Sequence, residues 1–226
     1  MQIAVLTLIL LLQQVCAKSQ NHTDNSNMER NQMNQNEIVE RIKEADELLA
    51  DKITRREATL EKRETPFLKN GTIYRIAEFN PTRPIIHHIV FFNDRKVVIL
   101  EGDEQSFYSS VREAGLVLDK ANERVEYVKA YLEIVYASGK RLQILNDIDE
   151  ITERPNLTEE KRKIFAEVKE KYRSLVKPPS CSLTNCILFA VKGQSLVKFD
   201  LKISGDGEIK VEEEVLEKEL LIPYTI

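Results

Sequence analysis

The stretch SLVKFDLKI at residues 195–203 decides the fold class of this chain. Apolar and charged residues alternate along it, and the apolar ones are Val197, Phe199, Leu201 and Ile203. A period of two predicts a β-strand with one face buried and the other in water. Residues 183–191 and 207–216 are also predicted to form strands, and turns containing glycine at 192–194 and 204–206 separate the three segments. The sequence therefore predicts a three-stranded antiparallel meander.

A helix is predicted immediately before this meander. Asn156 and Glu159 have the spacing of a capping box, and Pro178-Pro179 ends the segment. We expect its apolar face to consist of Ile164, Val168, Tyr172 and Leu175, and to lie on the apolar face of the meander.

The first half of the chain has a similar order of elements. Residues 37–64 are predicted to form one long charged helix, capped by Asn34. Three antiparallel strands are expected to follow within 72–101. The predicted apolar stripe of the helix is Ile38, Ile42, Ala45, Leu49 and Ile53, and the predicted strands begin at 73, 85 and 96.

Two helices and a short strand are predicted between these halves. Asp103 is expected to cap a helix that ends at Gly115, and Asp119 to cap a second that ends at Gly139. Residues 141–145 are predicted to form a short strand.

Together these elements predict an α+β fold with antiparallel sheets and helices packed on one face. Residues 37–226 are expected to form a single globular domain, with possible sub-halves at 37–150 and 151–226. The order of elements resembles the cystatin-like and NTF2-like architectures, which implies a helix packed into a curved sheet. The resemblance concerns element order only, and fold alone does not determine function.

The first 17 residues have the pattern of a secretory signal peptide. An apolar run from Ile3 to Leu12 precedes Val15-Cys16-Ala17, where a signal peptidase would cleave after Ala17. The run is too short to span a membrane, which takes about 20 residues. A lipid anchor at Cys16 is disfavoured because the glutamines at 13 and 14 suit that processing poorly. Residues 18–36 are polar and predicted to be a disordered tether, and the product is expected to be secreted or periplasmic.

Composition excludes several classes of function. The 33 basic and 37 acidic residues are mixed along the chain, and no basic stripe indicates a nucleic-acid partner. The seven glycines form no phosphate-binding loop. Three histidines and two cysteines beyond the leader do not make a metal site. No cofactor or metal is therefore predicted, and the expected partner is an unknown protein or a small ligand.

Cys181 and Cys186 are the candidates for a disulfide. They are the two cysteines that remain after cleavage of the leader, and disulfides persist in oxidising compartments. Five residues of extended chain span about 17 Å, far beyond the Cα separation of bridged cysteines, so a bridge requires a turn near 182–184. Two buried free thiols are the alternative.

His87 and His88 are the only histidines in the predicted globular part. They are neighbours on a predicted strand, so they point to opposite faces and cannot share one metal ion. Either one could act as a general base if a carboxylate lay beside it.

Other polar clusters indicate no chemistry. The acidic residues within 146–150 lack the glycine and glutamate of a calcium loop, and a solvated loop is expected there. Ser195 lacks the glycine that closes a nucleophile elbow. Residues 212–214 are three glutamates, which are expected to protect an exposed sheet edge.

Three hypotheses of function follow. The first is an exported, non-enzymatic module that binds a small ligand or a protein. The second is a hydrolase-like enzyme with a site built around His87 or His88. The third is a structural envelope protein that oligomerises through the helix of 37–64. A pocket that holds a histidine beside a carboxylate would favour the enzyme, and a flat, filled sheet would favour the other two.

Overall fold

The structure is a computed structural model, and it describes residues 35–80, 84–137 and 142–223. The predicted signal peptide, the tether as far as residue 34, and Gly139 lie outside the described residues. Residues from Arg41 onward form one compact unit, and residues up to Glu40 belong to another, of which only the beginning of a helix is described. The prediction of a single domain over 37–226 stays a prediction.

Five α-helices and nine β-strands are described, and the predicted α+β class with antiparallel sheets is confirmed. A π-helical turn, Leu132–Tyr136, follows the fourth α-helix, and a 3₁₀ turn, Ile148–Glu150, precedes the fifth. The helices are α1 Gln35–Ala45, α2 Glu47–Thr54, α3 Glu104–Glu113, α4 Ala121–Tyr131 and α5 Glu159–Tyr172. The strands are β1 Ala58–Lys62, β2 Gly71–Glu78, β3 Ile85–Phe92, β4 Val97–Leu100, β5 Leu142–Leu145, β6 Ser180–Cys181, β7 Asn185–Lys192, β8 Ser195–Ile203 and β9 Ile209–Glu217.

The first sheet has the antiparallel order β1-β2-β3-β4. It contains the three predicted strands and adds β1, which lies where the sequence predicted the end of the long helix. That helix prediction was wrong beyond Thr54. Asp46 begins a new helix by accepting a hydrogen bond from the Leu49 amide at 2.9 Å, and Arg56 turns the chain with a positive φ of 60°. Four of the five predicted stripe residues are buried, and Ala45 is exposed.

The second sheet has the order β5-β7-β8-β9, with β6 paired to β7. It contains the predicted meander and the predicted strand near 142–145. The prediction that one face of the meander is exposed to solvent was only partly right, because a second apolar cluster covers part of that face. Its buried members include Phe165, Tyr172 and Val176 of the α5 region and Phe189, Val191 and Leu196 of the sheet. The prediction that α5 lies on the face of Val197 and Phe199 was therefore wrong, because α3 and α4 pack on that face.

Helices α3 and α4 lie between the two sheets and share one apolar core with both. Phe107 and Tyr127 are fully buried there with their rings stacked 5.7 Å apart, while Val90 of β3 and Phe199 of β8 close the core from either side. The opposite face of the first sheet buries Tyr74 and Phe91. Both sheets therefore bury side chains on two faces, which is more coverage than the predicted single layer of helices provides.

Two predicted helix caps were displaced by one or two residues. Asp103 caps α3 as predicted, by accepting from the Ser106 amide at 2.9 Å. The cap of α4 is Lys120 instead of Asp119, because the Glu123 carboxylate accepts the Lys120 amide at 2.8 Å. The cap of α5 is Thr158, since Asn156 occupies a left-handed turn with φ 63°.

The apolar face predicted for α5 was also partly wrong. Ile164 and Leu175 are exposed, whereas Phe165 and Val176 are buried in their place. None of the helices in the described ranges is long and apolar enough to cross a membrane.

Candidate functional site

A row of polar side chains crosses the face of the first sheet that is turned toward α4. Glu61 of β1 is the direct partner of Arg75 in β2, and Arg75 is the partner of His88 in β3. Directly opposed residues of antiparallel strands point to the same face, so the register alone brings these three side chains together.

Glu133 lies over this row from the π-helical turn. Its Oε2 accepts a hydrogen bond from Nη2 of Arg63. Its Oε1 lies 3.5 Å from Nε of Arg75 and 3.5 Å from Nε2 of His88. One carboxylate is thus surrounded by two guanidinium groups and an imidazole. π-Helical turns are frequent at functional sites, and this one carries the residue that links helix to sheet.

The surroundings of Glu133 keep it ionised at neutral pH. Burial opposes the charged form, but the neighbouring His88 ring and the charges of Arg63 and Arg75 outweigh burial and lower the pKa of the carboxyl group. A carboxylate fixed in this way positions its cationic neighbours and is a poor proton acceptor.

His88 is shielded from water. Only 7% of the residue is exposed, and its Nε2 has no hydrogen-bond partner within the described part of the chain. Nε2 lies 3.5 Å from Oε1 of Glu133, a separation longer than a well-formed hydrogen bond. In this arrangement no substrate atom can reach Nε2, because Glu133 lies over it.

A cleft of about 430 Å³ opens beside this cluster, between the end of β1 and the outer side of α4. We call it the β1–α4 cleft. Its floor is apolar, with Ile73, Ala130 and Ile134, His88 also lines it, and charged side chains form its rim. The rim residues are Glu61, Lys62, Arg63, Glu64, Glu126, Lys129 and Glu133, together with the hydroxyl of Thr65. A volume in this range fits a small molecule.

His87 lies on the other face of β3, as its position in the strand predicts. Its Nε2 is 2.7 Å from Oε1 of Glu78, whose other oxygen accepts from Nζ of Lys52 at 2.6 Å. Burial raises the pKa of Glu78, but Lys52 and His87 lower it further, so the net direction is downward. This cluster joins α2 to the sheet and borders neither cleft.

A second cleft, of about 410 Å³, lies between α3 and the turn before β9. Tyr108 forms one wall, and its hydroxyl oxygen accepts the Ile209 amide at 2.9 Å. Arg112 crosses the cleft to the carboxylate of Glu208 at 3.2 Å. No candidate residue from the sequence lies here.

Cys181 and Cys186 face each other across β6 and β7 and are joined as a disulfide, with Cα atoms 4.0 Å apart. The turn that a bridge requires is present between residue 182 and residue 184, and the Ser182 amide donates to the Asn185 carbonyl at 2.7 Å. The hairpin therefore brings both cysteines within bonding reach.

The remaining polar clusters have structural partners. Hydrogen bonds from Arg173 and then Lys169 lower the pKa of Asp149 to about 2, which ties the 146–150 loop to α5. Ser195 begins β8 opposite Lys192, with no histidine in its strand pair. Residues 212–214 lie on β9 at the edge of the second sheet, as predicted. No group of three possible metal ligands occurs in the ranges that the structure describes.

Sequence reasoning found His88 but missed Arg63, Arg75 and Glu133. The charged positions on β1 and β2 could have been found from strand alternation, had 58–62 not been assigned to a helix. Glu133 depends on the π-helical turn, for which the sequence carries no clear signal.

Comparison of this chain with protein families, curated proteins and solved structures finds no match. The resemblance to cystatin-like and NTF2-like folds therefore stays a prediction based on element order.

Proposed function

We propose that the protein is an exported binding module that takes a small polar ligand in the β1–α4 cleft. The observation that carries the proposal is the cleft itself, which combines an apolar floor with a rim of both charge signs. Small-molecule sites typically have such a form, a concave surface with a few polar groups that orient the ligand.

The volume indicates the size of the ligand. Liquid water occupies about 30 Å³ per molecule, so 430 Å³ corresponds to on the order of 14 waters. A ligand of about 10–15 non-hydrogen atoms would fill this space. The rim offers carboxylates to a cationic group and ammonium or guanidinium groups to an anionic one, which favours a ligand that carries both.

The state of His88 favours binding over catalysis. A general base must reach the proton that it removes, and Nε2 of His88 is covered by Glu133.

A thermal-shift screen of small polar compounds tests the proposal. A ligand at 100 times its Kd stabilises the native state by about 2.7 kcal/mol, which corresponds to a rise in Tm of about 5–10 °C for a chain of this size. Lys129→Ala and Glu126→Ala should abolish the shift, because both side chains line the cleft.

Arg112→Ala is the matched control, because it truncates a charged side chain at the second cleft. A compound whose shift survives the Lys129 and Glu126 substitutions and is lost with Arg112→Ala would place binding elsewhere. A screen in which no compound raises Tm would contradict the proposal.

The second candidate is a hydrolase-like enzyme that acts in the same cleft. One observation favours it: His88 lies beside the carboxylate of Glu133 at the cleft wall. His88→Gln would then abolish turnover, while His87→Gln, on the opposite face, would leave it unchanged. The structural envelope alternative stays a prediction; in place of one helix over 37–64 the segment forms α1, α2 and β1.

Export is supported by the leader pattern and by the geometry of Cys181 and Cys186. Mass spectrometry of the protein from its native host tests it directly. We expect an N-terminus at residue 18 and a mass 2 Da below that of the reduced chain, because one disulfide removes two hydrogens. A chain that retains Met1 would contradict export.

A further inference from the structure

The open edge of β1 is the feature from which we draw a further inference. β1 is the first strand of its sheet, and no described strand pairs with its outer side. Strand edges of this kind present unpaired N–H and C=O groups to other chains.

Two hydrogen bonds show which residues of β1 face outward. The Arg63 amide donates to the Ile73 carbonyl at 2.9 Å, and the Phe79 amide donates to the Glu57 carbonyl at 2.7 Å. Bonding alternates along an antiparallel ladder, so the odd-numbered residues from 57 to 63 bond to β2. The backbone groups of Ala58, Leu60 and Lys62 therefore point away from β2; Lys62 is exposed, Leu60 is half-buried, and Ala58 is buried at 6% exposure.

We propose that this edge pairs with the same edge of a second copy of the chain, antiparallel, with the two-fold axis at Leu60. In this register Leu60 faces Leu60, Ala58 faces Lys62, and Thr59 faces Glu61. In this register each residue of one copy whose backbone points away from β2 lies opposite such a residue of the other copy, so their backbone groups can form hydrogen bonds. The two four-stranded sheets then join into one sheet of eight strands.

Charge complementarity selects this register. With the axis at Leu60, Glu57 of one copy lies opposite Arg63 of the other, and no like charges are opposed between 57 and 63. Moving the axis to Thr59 would place Glu57 opposite Glu61. Moving it to Glu61 would place that residue opposite itself, and directly opposed like charges destabilise a strand pair.

β9, the edge strand of the second sheet, differs from β1 in the pattern of its charges. β9 is exposed along 212–215, but three consecutive glutamates occupy its middle. An antiparallel self-pairing centred on any residue from 212 to 214 opposes glutamate to glutamate. The chain thus protects β9 with charge and leaves on β1 a pattern that complements itself.

The pairing involves few residues, so we expect a weak dimer with Kd on the order of 100 µM. It does not depend on ligand binding. It would place Glu57 of the second copy beside the rim of the β1–α4 cleft, next to Arg63 and Glu64.

Cysteine crosslinking in the full chain tests the register, with Cys16→Ser as the background. Leu60→Cys should form a disulfide-linked dimer on mild oxidation, because Cα atoms of a hydrogen-bonded pair lie about 5.5 Å apart. Lys62→Cys should crosslink at least tenfold less, because its copies would be about 13 Å apart along the strands. Glu213→Cys reports the edge of β9 and should also stay uncrosslinked.

Sedimentation from 10 µM to 1 mM provides the second readout. Glu57→Arg should weaken the dimer about tenfold, because it opposes Arg63 with a like charge. Glu160→Arg, an equivalent change on exposed α5, should have no effect. A chain that is monomeric throughout this range would overturn the proposal, and so would crosslinking of Lys62→Cys or Glu213→Cys as efficient as that of Leu60→Cys.

Discussion

Replacing Glu133 with glutamine removes the charge at the centre of the polar cluster while keeping its shape. The side chain is 30% exposed and lies against Arg63, Arg75 and His88. Exposed ion pairs contribute about 0.2–1 kcal/mol, and breaking a buried pair costs about 3–5 kcal/mol. Glu133 falls between these limits, and its replacement leaves Arg63 and Arg75 only the longer ion pairs with Glu61, at 3.7 and 3.6 Å. We therefore expect Glu133→Gln to lower the free energy of unfolding by about 2 kcal/mol.

Urea denaturation at pH 7 measures this loss. With an m value of about 3 kcal/mol/M, the midpoint should fall by about 0.7 M. Glu126→Gln is the control, since Glu126 is as exposed as Glu133 but, among the residues that the structure describes, pairs only with Lys129 along the same helix. Pairs of this kind contribute about 0.3–0.5 kcal/mol, so its midpoint should fall by less than 0.2 M.

The pH dependence provides an independent check. The pKa of Glu133 is lower in the folded protein than the ordinary value of 4.5. Its contribution is therefore fully present above pH 4.5 and is lost as the pH falls through the folded pKa. The difference between the wild type and Glu133→Gln should shrink at pH 3. Equal midpoints for Glu133→Gln and Glu126→Gln at pH 7 would refute the assignment of Glu133 as the centre of the network.

Three further changes test other parts of the structure. Cys181→Ser combined with Cys186→Ser should lower Tm by about 4–8 °C, because a disulfide between residues 5 positions apart contributes about 2 kcal/mol to the free energy of unfolding. Calorimetry that gives the variant and the oxidised wild type the same Tm would contradict this. Gly207→Ala should lower the free energy of unfolding in urea by about 1–3 kcal/mol, because φ is 88° and the new Cβ would lie 2.5 Å from Leu116. Gly205→Ala is the control: its Cβ would enter open space, and the free energy of unfolding should change by less than about 0.5 kcal/mol. Tyr127→Phe should lower the free energy of unfolding by about 1 kcal/mol, because the buried hydroxyl donates a hydrogen bond to the Gly207 carbonyl at 2.5 Å. An unchanged urea midpoint would show that this hydrogen bond contributes nothing to stability.

The strands of the second sheet could be predicted because their apolar residues alternate and glycine marks the turns. The long helix could not be delimited in the same way. Four of the five residues at 58–62 are helix formers, namely alanine, leucine, glutamate and lysine, and the strand conformation of this segment depends on pairing with β2, which is a tertiary interaction. The positive φ at Arg56 separates helix from strand without a glycine to mark it.

The candidate site was predictable only in part. His87 and His88 were found because histidine is rare in this chain, and their opposite faces follow from strand geometry. Their partners were not found, since Glu133 lies 45 positions beyond His88 and reaches it only where α4 becomes π-helical. The disulfide geometry needed a two-residue strand, β6, which is too short to leave a periodic pattern.

Mapping a bound ligand by NMR tests most directly whether the β1–α4 cleft is the binding site. Compounds that raise Tm would be titrated into labelled protein, and the shifted amide signals assigned. Binding in the β1–α4 cleft predicts shifts at residues 61–65 and 126–134 and at Ile73 and His88, with Tyr108 and Arg112 at the second cleft unchanged. Shifts that avoid 61–65 and 126–134 for every compound would contradict the assignment of the cleft as the binding site.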